Sequence, residues 1–166
     1  MSVLLAALVL ATQEKHTPKP LPQAAKSFVT VGEANTVLFQ LESATRKILK
    51  VGGSAKKPSE NKKEATRAQI IDGLFAIYEV ARPKFRIAPN PIKFDDKVFS
   101  VTGQSRGRLQ ILVRQGFVGR VSPLATSKTP GLSLEEFGDS IGLFVARLAD
   151  LSHTPSRQWS PYLWDR

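Results

Sequence analysis

The sequence contains no cysteine, and its 166 residues include only two histidines and one methionine. The lack of cysteine excludes disulfides, thiolate metal sites and cysteine nucleophiles. The two histidines, His16 and His153, lie in connecting segments without a carboxylate at metal-ligand spacing. No glycine-rich phosphate loop follows a predicted strand. The sequence therefore predicts a protein that is not an enzyme and that uses no metal or cofactor.

Long hydrophobic runs are also scarce, and the one strongly apolar stretch lies at the N-terminus, at residues 3–10. This run is too short to cross a bilayer, and no lysine or arginine precedes it as in a signal peptide. We expect a short buried helix or strand, or a contact between subunits, and no membrane span. The residues expected to dock on a partner in this run are Leu4, Leu5 and Leu8.

Acidic residues are in the minority, with 14 Asp and Glu against 24 Lys and Arg, which gives a net charge of +10. The excess is concentrated in residues 82–128, where ten cations face two aspartates. The sign reverses in residues 129–151, where one arginine faces four acids. A small protein with such a field attracts polyanions, and nucleic acid is favoured over an anionic membrane or an acidic protein.

Hydrophobic spacing of three and four residues predicts a mainly α-helical chain. We expect the first helix over residues 33–51, ended by Gly52 and Gly53, and then a basic linker. The other expected helices cover 61–81, with Asn61 as cap and Pro83 as terminator, a short 96–100, 104–115 and 133–151. A strand is an alternative for 96–100, because Val98 and Phe99 are good strand formers.

The most distinctive segment runs from Leu109 to Val121, where a helix rich in arginine reaches Gly116 and then an alternating apolar and polar stretch, 117–124. It resembles the end of a recognition helix running into the first wing strand of winged helix-turn-helix transcription regulators, over about residues 65–151. The resemblance implies a mainly α fold with a small β wing (α+β). The domains would be an N-terminal region 1–60, a winged-helix-like core 61–151 and a tail 152–166.

The resemblance also implies contacts with duplex DNA, because a recognition helix enters the major groove and its first residues reach base edges. The implied base-contacting residues are Gln104, Arg106 and Gln110. Phosphate contacts carry affinity but no sequence information. The residues expected to make them are Arg108, Arg114, Arg120 and Lys128, together with Lys56 and Lys57 of the basic linker.

A second hypothesis is a basic scaffold subunit of a larger nucleoprotein assembly or a homo-oligomer. It would dock through the apolar N-terminus and through the C-terminal aromatics Trp159, Tyr162 and Trp164. The tail can instead fold back onto the chain's own core. DNA is expected more than RNA as the nucleic acid, and the lack of cysteine fits a reducing location, in the cytoplasm or with the nucleoid.

Overall fold

The fold is mainly helical, as the sequence predicts. It is described by a computed structural model for residues 27–58, 60–86 and 90–159. The helices in these ranges are α1 (Val31–Leu49), α2 (Arg67–Ala81), α3 (Gly103–Arg114), the single turn α4 (Pro123–Thr126) and α5 (Leu134–Ser152). Short 3₁₀ turns occupy Arg82–Lys84, Asp96–Val98 and Ser156–Gln158.

Capping boxes begin the three longest helices. Ser133 and Glu136 form the box at the start of α5, within one residue of the predicted start of that helix. The predicted cap of the second helix is wrong, because Thr66 and not Asn61 precedes its first residue. The Asn61 side chain instead accepts a hydrogen bond from the Lys63 amide at 2.9 Å, which holds a local turn. Because the Asn61 side chain bonds a backbone amide that lies before α2, it does not cap that helix.

The helix ends follow their local chemistry. Helix α1 stops at Leu49, before the predicted glycines, because Lys50 itself takes the left-handed conformation with φ of 53°. Pro83 ends α2 as predicted, with only a 3₁₀ turn beyond it. Gly116, with φ of +80°, follows the end of α3 as predicted. The left-handed conformation suits glycine at this position, because glycine has no Cβ to clash with the preceding turn.

The predicted wing strand is wrong. Residues 117–122 form turns, and Pro123 begins α4 where we expected it to end a strand. Phe117 and Val118 are consecutive, yet both are buried, whereas a strand with one wet face would bury alternate residues. Phe117 packs against Tyr78, Phe85 and Phe144, with ring centroids 4.9–5.9 Å apart. This aromatic cluster turns the chain back into the core immediately after α3.

One hydrophobic core joins all of these helices. Helix α1 packs on α2, α2 on α3, and α4 on α5. Backbone hydrogen bonds tie the segment before α1 to two distant parts of the chain. The amide of Val29 donates to Leu132 O, and the amide of Ala65 donates to Val29 O, both at 2.9 Å. The core therefore crosses the predicted domain boundary near residue 60.

Candidate nucleic-acid interface

Helix α3 presents a narrow face to solvent. Its buried side carries Leu109, Leu112 and Val113. The exposed positions are Gly103 and Gln104 at its start and then Gly107, Ile111 and Arg114, at spacings of three and four residues. Only one of these five is a cation. The solvent-facing surface of α3 is therefore less basic than the arginine content of the helix indicates.

Asp96 holds two of the three predicted base-contacting residues. An Arg106 Nη2 donates to the Asp96 carbonyl at 2.8 Å and lies 3.6 Å from its Oδ2. The Gln110 side-chain amide donates to the same Oδ2. These bonds pull both side chains away from the exposed face of α3 toward the Asp96–Val98 turn. Gln104, the third, remains exposed in the first turn of the helix.

Arg108 forms a clip between α3 and α2. Its Nη1 lies 2.9 Å from Asp72 Oδ1, and its guanidinium lies over the Phe75 ring, 5.6 Å from the centroid. The Ser105 hydroxyl also donates to Asp72, at 2.9 Å. Asp72 thus balances the charge of Arg108. Arg108 is therefore less available to contact phosphate than the predicted cations that have no carboxylate partner.

The other cations predicted to contact phosphate are unpaired within the described ranges. Arg114, Arg120 and Lys128 are exposed there, with no carboxylate within ion-pair distance. The segment between α2 and α3 adds further exposed cations with the same property, namely Lys84, Arg86, Lys93 and Lys97. Lys56 and Lys57 are also exposed, on the segment that follows α1.

Two of these cationic regions meet at the C-terminal end of α3. The Ile92 amide donates to the Arg114 carbonyl at 2.9 Å, which places the chain around Lys93 beside the last turn of the helix. On the other side, Arg147 of α5 donates from Nε to the Gln115 carbonyl at 2.9 Å, but its charge is balanced by Asp150, 2.5 Å from its Nη1. The unpaired cations at the end of α3 are therefore Arg114 and Lys93.

The outer face of α5 has the opposite charge. Its exposed positions are Leu134 at its start and then, at spacings of three and four residues, Glu135, Asp139, Leu143, Ala146 and Asp150. Three of the six are acids and none is a cation, and one of the acids, Asp150, is paired with the partly buried Arg147. The protein thus separates its charges between faces, as the reversal of sign along the sequence predicts.

Arg67 is a buried arginine that the sequence does not single out. It lies in the first turn of α2 and is 6% exposed. Its Nε donates to Thr129 O at 2.8 Å and its Nη1 to Ser100 Oγ at 2.9 Å, so it joins α2 to two loops. Burial lowers the pKa of the Arg67 guanidinium. No sequence signal marks it, because an arginine at a helix start is normally a solvated side chain opposed to the helix dipole.

Trp159 lies in the core, not on a docking surface. Its side chain is 1% exposed, and its indole Nε1 donates to Thr154 Oγ1 at 2.9 Å. The prediction that Trp159 docks on a partner is therefore wrong, and the alternative, a tail that folds back, applies to it. The remaining docking residues lie outside the described residues; they are Leu4, Leu5, Leu8, Tyr162 and Trp164.

Neither a metal cluster nor a membrane helix is found in the part of the chain that the structure describes. It contains no group of three histidine, aspartate or glutamate residues arranged to hold an ion. No helix in the same ranges combines the length and hydrophobicity needed to cross a bilayer. Comparison of the chain with protein-family models, curated proteins and solved structures gives no significant match.

Proposed function

We propose that the chain is a non-enzymatic nucleic-acid-binding protein that holds the phosphate backbone, with DNA as its first candidate ligand. The observation that carries the proposal is the set of exposed cations without a carboxylate partner in the described ranges. Three of them are residues that the sequence predicts to contact phosphate: Arg114, Arg120 and Lys128. When a cation binds a polyanion, it releases condensed counterions, and an unpaired cation can do so without first breaking an ion pair within the protein.

The same geometry favours backbone contacts over base reading. Arg106 and Gln110 would have to leave Asp96 to reach a base edge, and Asp96 itself would repel the neighbouring phosphate. Gln104 is the base-contacting candidate that needs no such exchange. The proposal requires no wing and no winged-helix topology, since residues 117–122 are turns. We therefore expect weak discrimination between base sequences.

A salt series tests this proposal. Binding of a mixed-sequence 24-base-pair duplex is measured by fluorescence anisotropy between 50 and 300 mM salt. Replacing Arg114, Arg120 and Lys128 together by glutamine should reduce the slope of log K against log salt by about 3, because each lost phosphate contact removes about one released ion.

The matched control keeps the three charges and changes only the side chains: Arg114→Lys, Arg120→Lys and Lys128→Arg. This variant should retain the slope of the unchanged protein, because a phosphate contact of this kind depends on charge. If the glutamine variant and the control bind alike, these three cations do not hold the backbone. Absence of duplex and single-strand binding at 50 mM salt would contradict the proposal as a whole.

The alternative, a subunit of a larger assembly, is favoured by a small apolar surface between α4 and α5. Val121 is 77% exposed and Leu143 is 44% exposed. The loop that carries Val121 approaches Leu143 at Gly119, where a Cβ would be 3.9 Å from a Leu143 methyl carbon. Light scattering should then give a mass above one chain, and Leu143→Ser should return it to one chain. A one-chain mass at all concentrations would remove the homo-oligomer form of this alternative.

A further inference from the structure

We propose that a cavity between α1 and α2 binds one unpaired nucleotide, with its base inside and its phosphate at two lysines on the rim. This inference rests on the proposed function and adds a subsite that distinguishes single strands and overhangs from a closed duplex. The lysines are Lys56 and Lys57, which were expected from the sequence only as general phosphate contacts.

The cavity is lined by α1, α2 and residues 56–58 of the segment after α1, and it lies beside a close contact between the two helices. At Gly73 of α2 the helices approach so closely that a Cβ would lie 2.5 Å from a methyl carbon of Leu38 on α1. Next to this contact lies an open cavity of about 330 Å³. Its apolar wall is formed by Leu38, Phe39, Ala76 and Ile77. This volume is at the small end of the range for ligand pockets in proteins.

Phe39 gives the cavity an aromatic surface. It lines the cavity and is only partly buried. Stacking of a base on an aromatic side chain is the usual way in which proteins hold single strands, and it tolerates any base sequence. Asn35 also lines the cavity and carries a side-chain amide. An amide both donates and accepts, which suits the polar edge of a base.

The charges around the cavity favour an anionic ligand. Lys56 and Lys57 line it from the segment after α1, and both are exposed without an ion-pair partner in the described ranges. The one carboxylate in the lining is Glu42, and Arg46 neutralises it through two bonds, at 2.7 and 2.9 Å. An apolar wall with a cationic rim matches a nucleotide, whose base is flat and weakly polar and whose phosphate is charged.

The test fills the cavity without disturbing the core. Ala76 lines the cavity but is exposed, so Ala76→Phe places a ring in the cavity at little cost to folding. The matched control is Ala146→Phe, the same substitution at an exposed alanine on α5. Binding of a fluorescein-labelled 12-nucleotide single strand and of its duplex is measured by anisotropy for each protein.

We expect Ala76→Phe to weaken single-strand binding about tenfold, as for the loss of one stacked base. Duplex binding and its salt slope should stay unchanged, because a closed duplex offers no unpaired nucleotide to the cavity. Phe39→Leu, which keeps an apolar wall but removes the ring, should give the same selective loss. Ala146→Phe should bind both ligands as the unchanged protein does.

Two outcomes separate this inference from the proposed function. If single strands bind with a steep salt slope but Ala76→Phe and Ala146→Phe behave alike, the cavity is not a nucleotide site, and the proposed function stands. If neither strand nor duplex binds, the proposed function fails. A competition arm identifies the ligand class: deoxyadenosine monophosphate should displace the strand, and dodecanoate at equal concentration should not. Displacement by dodecanoate but not by deoxyadenosine monophosphate would overturn the inference and indicate a site for a lipid-like anion.

Discussion

Asp96 keeps Arg106 and Gln110 away from the exposed face of α3, and we expect this to weaken nucleic-acid binding. Replacing Asp96 distinguishes this local effect from a general effect of net charge. Its carboxylate accepts a hydrogen bond from Gln110 and lies 3.6 Å from an Arg106 Nη2, which donates to the Asp96 backbone carbonyl. Asp96→Asn removes one negative charge beside these side chains and weakens their attachment. We expect the variant to bind nucleic acid more tightly than the unchanged protein.

The magnitude follows from counterion release. Arg106 freed to meet one phosphate adds about 0.9 to the slope of log K against log salt. At 0.1 M salt, 0.9RT ln 10 is about 1.2 kcal/mol, or roughly an eightfold gain in affinity. The cost in folding is small, because the Arg106 and Asp96 side chains are 34% and 40% exposed, and such pairs contribute about 0–1 kcal/mol.

The assay is duplex binding by anisotropy at several salt concentrations, with Asp139→Asn as matched control. Asp139 is an exposed acid on the outer face of α5, so its replacement changes the net charge equally but at a different surface. We expect the gain in duplex affinity to be clearly larger for Asp96→Asn than for Asp139→Asn. Equal gains would show that only net charge matters. Unchanged or weaker binding by Asp96→Asn would refute a local effect of Asp96 on Arg106 and Gln110.

Further predictions concern stability, measured by urea and thermal unfolding. Gly107→Ala should stabilise by about 0.5–1 kcal/mol, because a Cβ there meets no atom within 4 Å and helix interiors disfavour glycine. Gly103→Ala should destabilise by about 1 kcal/mol, because its φ of +66° is left-handed; the opposite order would contradict both. Trp159→Ala should cost about 3–5 kcal/mol if the indole is core, and a loss under 1 kcal/mol would place it outside. Arg67→Met should cost about 3 kcal/mol, because the Thr129 carbonyl and Ser100 hydroxyl lose a buried cationic donor; an unchanged midpoint would refute this.

Local signals predicted the bounds of α1, α3 and α5 to within two residues, because nearby residues specify these helices, but they placed the start of α2 six residues too early. Gly116 follows the end of α3 as predicted, and it takes the left-handed conformation. The wing failed because the alternation after Gly116 is a local pattern, and a distant aromatic cluster determines the path of Phe117. Tertiary packing overrides strand propensity in such cases.

The sequence predicts which region of the chain is cationic, but it does not predict which of the cations are free to contact a ligand. The sequence indicates that residues 82–128 are cationic, and Arg114, Arg120 and Lys128 are exposed as a phosphate surface requires. It gives no sign that Asp96 and Asp72 engage the other arginines of α3, because those acids lie in separate parts of the chain. It also gives no sign of the cavity beside Gly73, which depends on how two helices pack.

The central claim is that unpaired surface cations hold a nucleic-acid backbone, and the salt dependence of binding by the full chain tests it most directly. With at least three phosphate contacts, from Arg114, Arg120 and Lys128, log K should fall against log salt with a slope of about −3 or steeper on a duplex. A slope near zero, or no measurable binding at 50 mM salt, would contradict the account.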